Sequence, residues 1–206
     1  MALLLPIVIA VWKRQQTAYL KPIKVYIVLA FVLNSFAIAI DLYIKKKSDS
    51  IWLTNNNYVY NIHSIVRFIC FCTFFEALQQ PFAKKIKKIL PIVSVVLALI
   101  NFLFFEKFFH SRTISSTLFA GEAAILLFYC LQYFMYKLKE DTISKKAADF
   151  WVVMGLSLYV VFNFSFFLVY SSLSPENQVL WWHVHNGSYI IFCIFLARAF
   201  YVVESK

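Results

Sequence analysis

The stretch Tyr58-Val59-Tyr60-Asn61-Ile62-His63-Ser64-Ile65-Val66-Arg67-Phe68-Ile69-Cys70 decides how the chain is read, because it carries His63 and Arg67 into an otherwise apolar run. Residues three or four apart share one face of a helix, so the imidazole and the guanidinium point the same way. A cation at the centre of a hydrocarbon layer costs about 2.5 to 3.5 kcal/mol on insertion scales and more on others. Arg67 therefore needs a counter-charge or a water-filled cavity, and the rest of the chain is searched for what that face meets.

The surroundings make the hydrocarbon setting compelling. Of 206 residues, 62% are hydrophobic and 19% aromatic, with only 3 glycines and 5 prolines. That is far more apolar material than one water-soluble core of this length can hide, so a bilayer must solvate much of it. The formal charge of +10 would suggest nucleic acid in a soluble protein. Here the cations stand in short clusters between apolar runs, as in Lys45-Lys46-Lys47 and Lys84-Lys85-Ile86-Lys87-Lys88, and no aromatic-interleaved binding module accompanies them. Contact with membrane lipid is expected and nucleic acid is not. Cys70, Cys72, Cys130 and Cys193 all lie inside apolar spans without a C-x-x-C pair, which predicts buried thiols and neither a disulfide framework nor a zinc ribbon.

Seven apolar segments can be drawn, over 1–12, 24–44, 57–78, 88–105, 114–137, 149–171 and 179–203. The expectation is an all-α polytopic bundle of seven transmembrane helices forming one domain over 1–206. Six segments are long enough to cross. Met1 to Trp12 gives only about 18 Å of helix against a core of about 30 Å, so this helix continues through Lys13 and Arg14 or the biological start lies upstream. A cleaved signal peptide is not expected, since no basic region precedes Ala2-Leu3-Leu4-Leu5. The first, third and fifth connections hold Lys13, Arg14, Lys21 and Lys24, then Lys84, Lys85, Lys87 and Lys88, then Lys137, Lys139, Lys145 and Lys146. The even connections hold fewer basic residues, which puts the N-terminus outside and the C-terminus in the cytoplasm. Pro22, Pro81 and Pro91 are read as marking helix starts or the loops before them.

With orientation set, depth follows from the rise per residue. His63 and His185 come out about 9 Å below the outer helix ends, Glu122 and Asn163 about 12 Å, and Arg67 about 15 Å. Asn34 reaches a similar level, with Asn61, His183, Asn186 and Tyr189 close to it. Four helices thus bring polar groups to one band of the outer half. Glu122 is the natural partner for Arg67, because a carboxylate offsets much of the cost of burying a guanidinium and suits its fork geometry.

Two readings of this band stand side by side. The polar groups are glue between helices, or they line an outward-facing cavity for a small ligand or ion. A haem held by His63 and His185, or a zinc hydrolase using His63, His185 and Glu122, has permissive spacing and no specific support. No cofactor is expected. Retinal is excluded by the absence of a lysine in the last span before Lys206. Trp52, Trp151, Trp181 and Trp182 sit at segment edges and read as interfacial anchors, and Gly121 beside Ala120 is read as letting a neighbouring helix come close.

Tyr60-Asn61 opening the third helix, Gly121-Glu122 in the fifth, Phe150-Trp151 and Asn163 in the sixth, and Leu180-Trp181, His185 and Ala199-Phe200-Tyr201 in the seventh resemble small bacterial seven-helix membrane proteins of unknown biochemistry. Some members of that family are encoded beside sensor histidine kinases. The resemblance implies a bacterial inner-membrane location and makes Asn61, Glu122, Asn163 and His185 the shared polar positions. Arg67 stands where an acidic residue would be expected, and Tyr189 where an asparagine is usual. The combined expectation is a non-enzymatic, receptor-like signalling protein whose polar site comprises His63, Arg67, Glu122, Asn163, His185, Asn61 and Tyr189. Its short loops carry no effector domain, so it would act through a partner protein, a histidine kinase or another membrane-complex subunit.

Overall fold

The computed structural model describes residues 2–13, 17–46, 56–80, 84–105, 115–144 and 147–202. Among them the fold is all-helical. The elements are α1 (Leu4–Trp12), a 3-10 turn (Ala18–Leu20), α2 (Lys21–Lys46), α3 (Asn57–Ala77), α4 (Lys84–Ile100) with a π-helical extension (Asn101–Phe105), α5 (Ser116–Lys139), α6 (Ala148–Val169), a 3-10 turn (Tyr170–Ser172) and α7 (Pro175–Tyr201). Five of these, α2, α3, α5, α6 and α7, are long and apolar enough to cross a membrane, which makes this an integral membrane fold by length and composition.

The two remaining helices depart from expectation in instructive ways. The apolar part of α4 is only Ile89–Ile100, about 18 Å of helix. Pro91 lies inside α4 and not at its start, where it removes one backbone donor and crowds the preceding turn. The π-helical extension at its other end is a second departure from regular α-geometry. α1, as expected from its length, is a short helix of 9 residues. Pro81 and Trp52 lie outside the described residues.

Helix ends follow ordinary chain chemistry. Ser115 caps α5, its Oγ accepting from the Leu118 amide at 3.2 Å. Ser174 does the same for α7 through the Asn177 amide at 3.5 Å, with Pro175 in the first turn where no amide is needed. The last turn of α5 closes where Asp141 takes φ 49°, letting the Thr142 amide reach back to the Lys137 carbonyl at 3.0 Å.

The packing order is a ring. α1 meets α2, α2 meets α3, α3 meets α5, α5 meets α6, α6 meets α7, and α7 returns to α1. α4 sits outside this ring and leans chiefly on α3. One end of the ring, called here the basic end, carries Lys13, Lys21, Lys137 and Arg198; Lys13 Nζ lies 5.3 Å from the Tyr201 ring. The half of the ring toward that end holds the aromatic core, where Tyr26, Phe71, Phe74, Phe75, Tyr129 and Phe192 are fully buried. Their rings meet edge-on, tilted or stacked at 5.3 to 6.4 Å, the spacings at which aromatic pairs add to simple burial. α6 and α7 come close at Gly155, where a Cβ would fall 2.4 Å from Phe195 Cβ. Gly121, expected to play that part, has open space at its Cβ position, with nothing among the described residues within 4 Å. All four cysteines are buried and unbridged.

Candidate functional site

The far half of the ring contains the polar residues. Arg67 on α3 and Glu122 on α5 form a two-pronged ion pair, with Nε to Oε1 at 2.5 Å and Nη2 to Oε2 at 2.6 Å. Both are almost fully enclosed, at 4% and 5% exposure. The planar guanidinium presents its donors as a fork that matches a carboxylate, which is why arginine serves here where lysine would not. Ser64 Oγ donates to Glu122 Oε2, and Arg67 Nη1 donates to the Tyr159 hydroxyl from α6. The guanidinium carbon also lies 4.9 Å from the Tyr159 ring centroid and 5.9 Å from that of Phe119. Both carboxylate oxygens and all three guanidinium nitrogens thus have protein partners.

A second cluster ties α6 to α7. Asn163 Nδ2 donates to the Tyr159 carbonyl at 2.6 Å, and Asn163 Oδ1 meets His185 Nδ1. The His185 ring stacks on Trp182 at 4.8 Å and 26°. Trp182, expected as an interfacial anchor, is therefore part of the site's wall. Tyr159 links the two clusters, giving its hydroxyl to one and its carbonyl to the other.

Between the clusters and α2 lies a partly open cavity of about 580 Å³, within the usual size range of small-ligand sites. His63, Arg67, Tyr159, His185 and Tyr189 line it together with Asn34 and Asn186. His63 is the exceptional wall residue. It is only 6% exposed, and its Nε2 has no hydrogen-bond partner among the described residues. Its ring sits 5.9 Å from Tyr26 and 6.1 Å from Tyr189, whose hydroxyls approach each other at 3.4 Å. A buried unpaired imidazole nitrogen is costly unless something supplies the missing bond.

The structure thus gathers His63, Arg67, Asn163, His185 and Tyr189 around or against one cavity. Glu122 stands behind Arg67 and faces a different, apolar cavity of about 240 Å³ between α3, α4 and α5, which Ser64 and Gly121 also line. Asn61 is separate: at 1% exposure it accepts from the Ser115 amide at 3.4 Å and so steadies the start of α5. His183 is exposed. Ser64 and Tyr159 were not singled out from the sequence. The available signal was spacing, since Ser64 is one turn before Arg67 and Tyr159 one turn before Asn163 on their helices.

Among the described residues no group of three or more His, Cys, Asp and Glu side chains is placed to hold a metal ion. No family model matches the chain, and neither a curated protein nor a solved structure is significantly similar to it. The functional reading therefore rests on geometry.

Proposed function

We propose that the protein is an integral membrane sensor or binding protein of the bacterial inner membrane, with the cavity bounded by His63, Arg67, His185 and Tyr189 as its ligand site. The observation that carries the reading is the enclosed His63 ring, which lines a cavity of ligand size and whose buried Nε2 has no hydrogen-bond partner among the described residues. The basic connections support a reading with the Lys13 and Arg198 end in the cytoplasm, the cavity in the outer half of the bilayer, the N-terminus outside and the C-terminus inside. In this arrangement α2 to α7 cross, α4 with the help of its π-helical extension, and α1 completes a seven-helix bundle. Occupancy would be read through the helices that share the wall, α2, α3, α6 and α7, and passed to a partner protein such as a histidine kinase. A role in binding, not catalysis, fits a site in which the one carboxylate is fully engaged by Arg67 and Ser64.

The test is recovery of the protein from native membranes at native abundance, followed by mass spectrometry of what accompanies it. A small molecule in near-equal amount, lost in His63→Phe, is the expected result. A protein equally empty in both forms, from all growth conditions, would end this reading.

A second reading has its own support. The Arg67–Glu122 pair is saturated by Ser64 and Tyr159 and needs no ligand, as expected of an accessory subunit whose polar groups only hold helices together. That reading predicts a stoichiometric protein partner and no small molecule in the same experiment.

A further inference from the structure

The mouth of the cavity lies at the side of the ring. Ser35 and Ile38 of α2 and Asn186 and Ile190 of α7 are the exposed residues on its lining. Asn186 is about 16 Å along α7 from its start, halfway down a membrane-spanning helix. An opening at that depth, between α2 and α7 with the start of α1 at its edge, would face lipid and not the aqueous surface.

At Ala2 and Ile190 the cavity meets a shallow groove of about 550 Å³ that runs on between α1 and α7. Leu4, Leu5 and Val8 form one bank and Cys193 and Ile194 the other, so the groove is wholly apolar. A polar, aromatic-walled chamber therefore passes directly into an apolar track along the outside of the ring. That sequence of surfaces matches one kind of molecule, a head group able to hydrogen-bond joined to a hydrocarbon chain.

The head group can be narrowed further. Arg67 is neutralised by Glu122 in a bidentate pair, so the chamber offers no uncompensated charge, and an anionic or cationic head would be stranded in low dielectric. The walls are largely flat rings, including Tyr60, Phe119, Tyr159, Trp182 and Tyr189, which favour a planar group stacked among them. His63, whose buried Nε2 has no hydrogen-bond partner among the described residues, stands in the same wall.

Resting on the ligand-site reading above, we infer that the occupant is a neutral membrane-dissolved amphiphile of the isoprenoid-quinone class, its carbonyl-bearing ring beside His63 and its chain lying in the α1–α7 groove. The ligand would then reach the site from the bilayer.

The experiment is equilibrium binding to the full chain in lipid nanodiscs, with concentrations expressed per lipid. Three probes are compared: a benzoquinone carrying two isoprene units, the same ring with only a methyl group, and palmitate. The chain-bearing quinone should bind saturably and about tenfold tighter than the chainless ring; a chain already dissolved in lipid gains nothing by leaving water, so that advantage measures packing in the groove. Val8→Trp and Leu5→Trp, at exposed groove positions, should shrink that advantage below about threefold while leaving the chainless ring unaffected. His63→Phe should weaken both quinones about tenfold, and palmitate should not compete. Equal binding of the two quinones would overturn the groove as a chain site yet leave the chamber as a ligand site. Competition by palmitate would overturn the neutral head group. Absence of saturable quinone binding, or indifference to His63→Phe, would overturn the inference outright, and the native-membrane recovery would still judge the broader reading.

Discussion

The two halves of the helix ring solve the same problem differently. Toward the basic end, stability comes from shape: aromatic rings interlock, Gly155 lets α6 and α7 touch, and the main charged contact, Asp149 with Lys137 at 3.3 Å and with the Tyr133 hydroxyl at 3.0 Å, sits near the rim. Toward the far end, contacts are specific and polar, and space is left over. Polar groups with fixed directions hold helices apart at set distances, whereas apolar rings slide together until the gap closes. The chamber lies where the first kind of contact dominates.

The sharpest way to break this contrast is Glu122→Gln. Stranding Arg67 without its counter-charge should cost about 3 to 5 kcal/mol, seen as a large fall in folded yield and melting temperature in detergent. Exchanging the pair, Arg67→Glu with Glu122→Arg, should recover part of that loss, because the Tyr159 and Ser64 hydroxyls can each reverse from acceptor to donor or back. An exchange no better than either single change would show that the pair is not directly coupled.

Next in size is Gly155→Ala in the tightly packed half. The added methyl meets Phe195 Cβ with no flexible side-chain end to yield, and overpacking of this kind costs about 1 to 3 kcal/mol. Gly121→Ala is its counterpart beside the apolar cavity and should be neutral or stabilising, by up to about 1 kcal/mol from helix propensity alone. Equal melting shifts for the two would remove the claimed difference in packing.

Asp149→Asn should cost less than about 1 kcal/mol, since its partner Lys137 is partly solvated and Tyr133 can still donate. The smallest effect on stability belongs to His63→Phe. Having no partner to lose at Nε2, this change should shift the melting temperature little or raise it, while weakening about tenfold whatever the chamber binds. A large loss of stability from His63→Phe would mean that the ring is a structural bond-maker after all.

Much of the helical layout was legible in the sequence because bilayer-length apolar runs leave few alternatives. The third segment, drawn over 57–78, is α3 at Asn57–Ala77, and the sixth, drawn over 149–171, is α6 at Ala148–Val169. The fourth was misjudged in character, since hydropathy counts Pro91 as a tolerable residue and does not register its place inside a helix. Arg67 and Glu122 could be matched because opposite charges at one depth have few other ways to be satisfied. Ser64 and Tyr159 could not, because hydroxyls are common in such spans and their role depends on which neighbour faces them. The distinction between His185, which is engaged, and His63, which is not, requires three helices to be in place and has no signature in any one of them. Gly121 and Gly155 make the same point: identical residues, one against a cavity and one against the Phe195 side chain.

The separation of Arg67 from Glu122 along the chain also bears on how the protein is made. Donor and acceptor stand 55 positions apart in the chain, so during synthesis α3 is offered to the bilayer before the helix that neutralises it has left the ribosome. Its guanidinium lacks that counter-charge until α5 arrives, and the ring closes only when the last helix, α7, meets the first. The polar half of the molecule is thus also the half that has to wait.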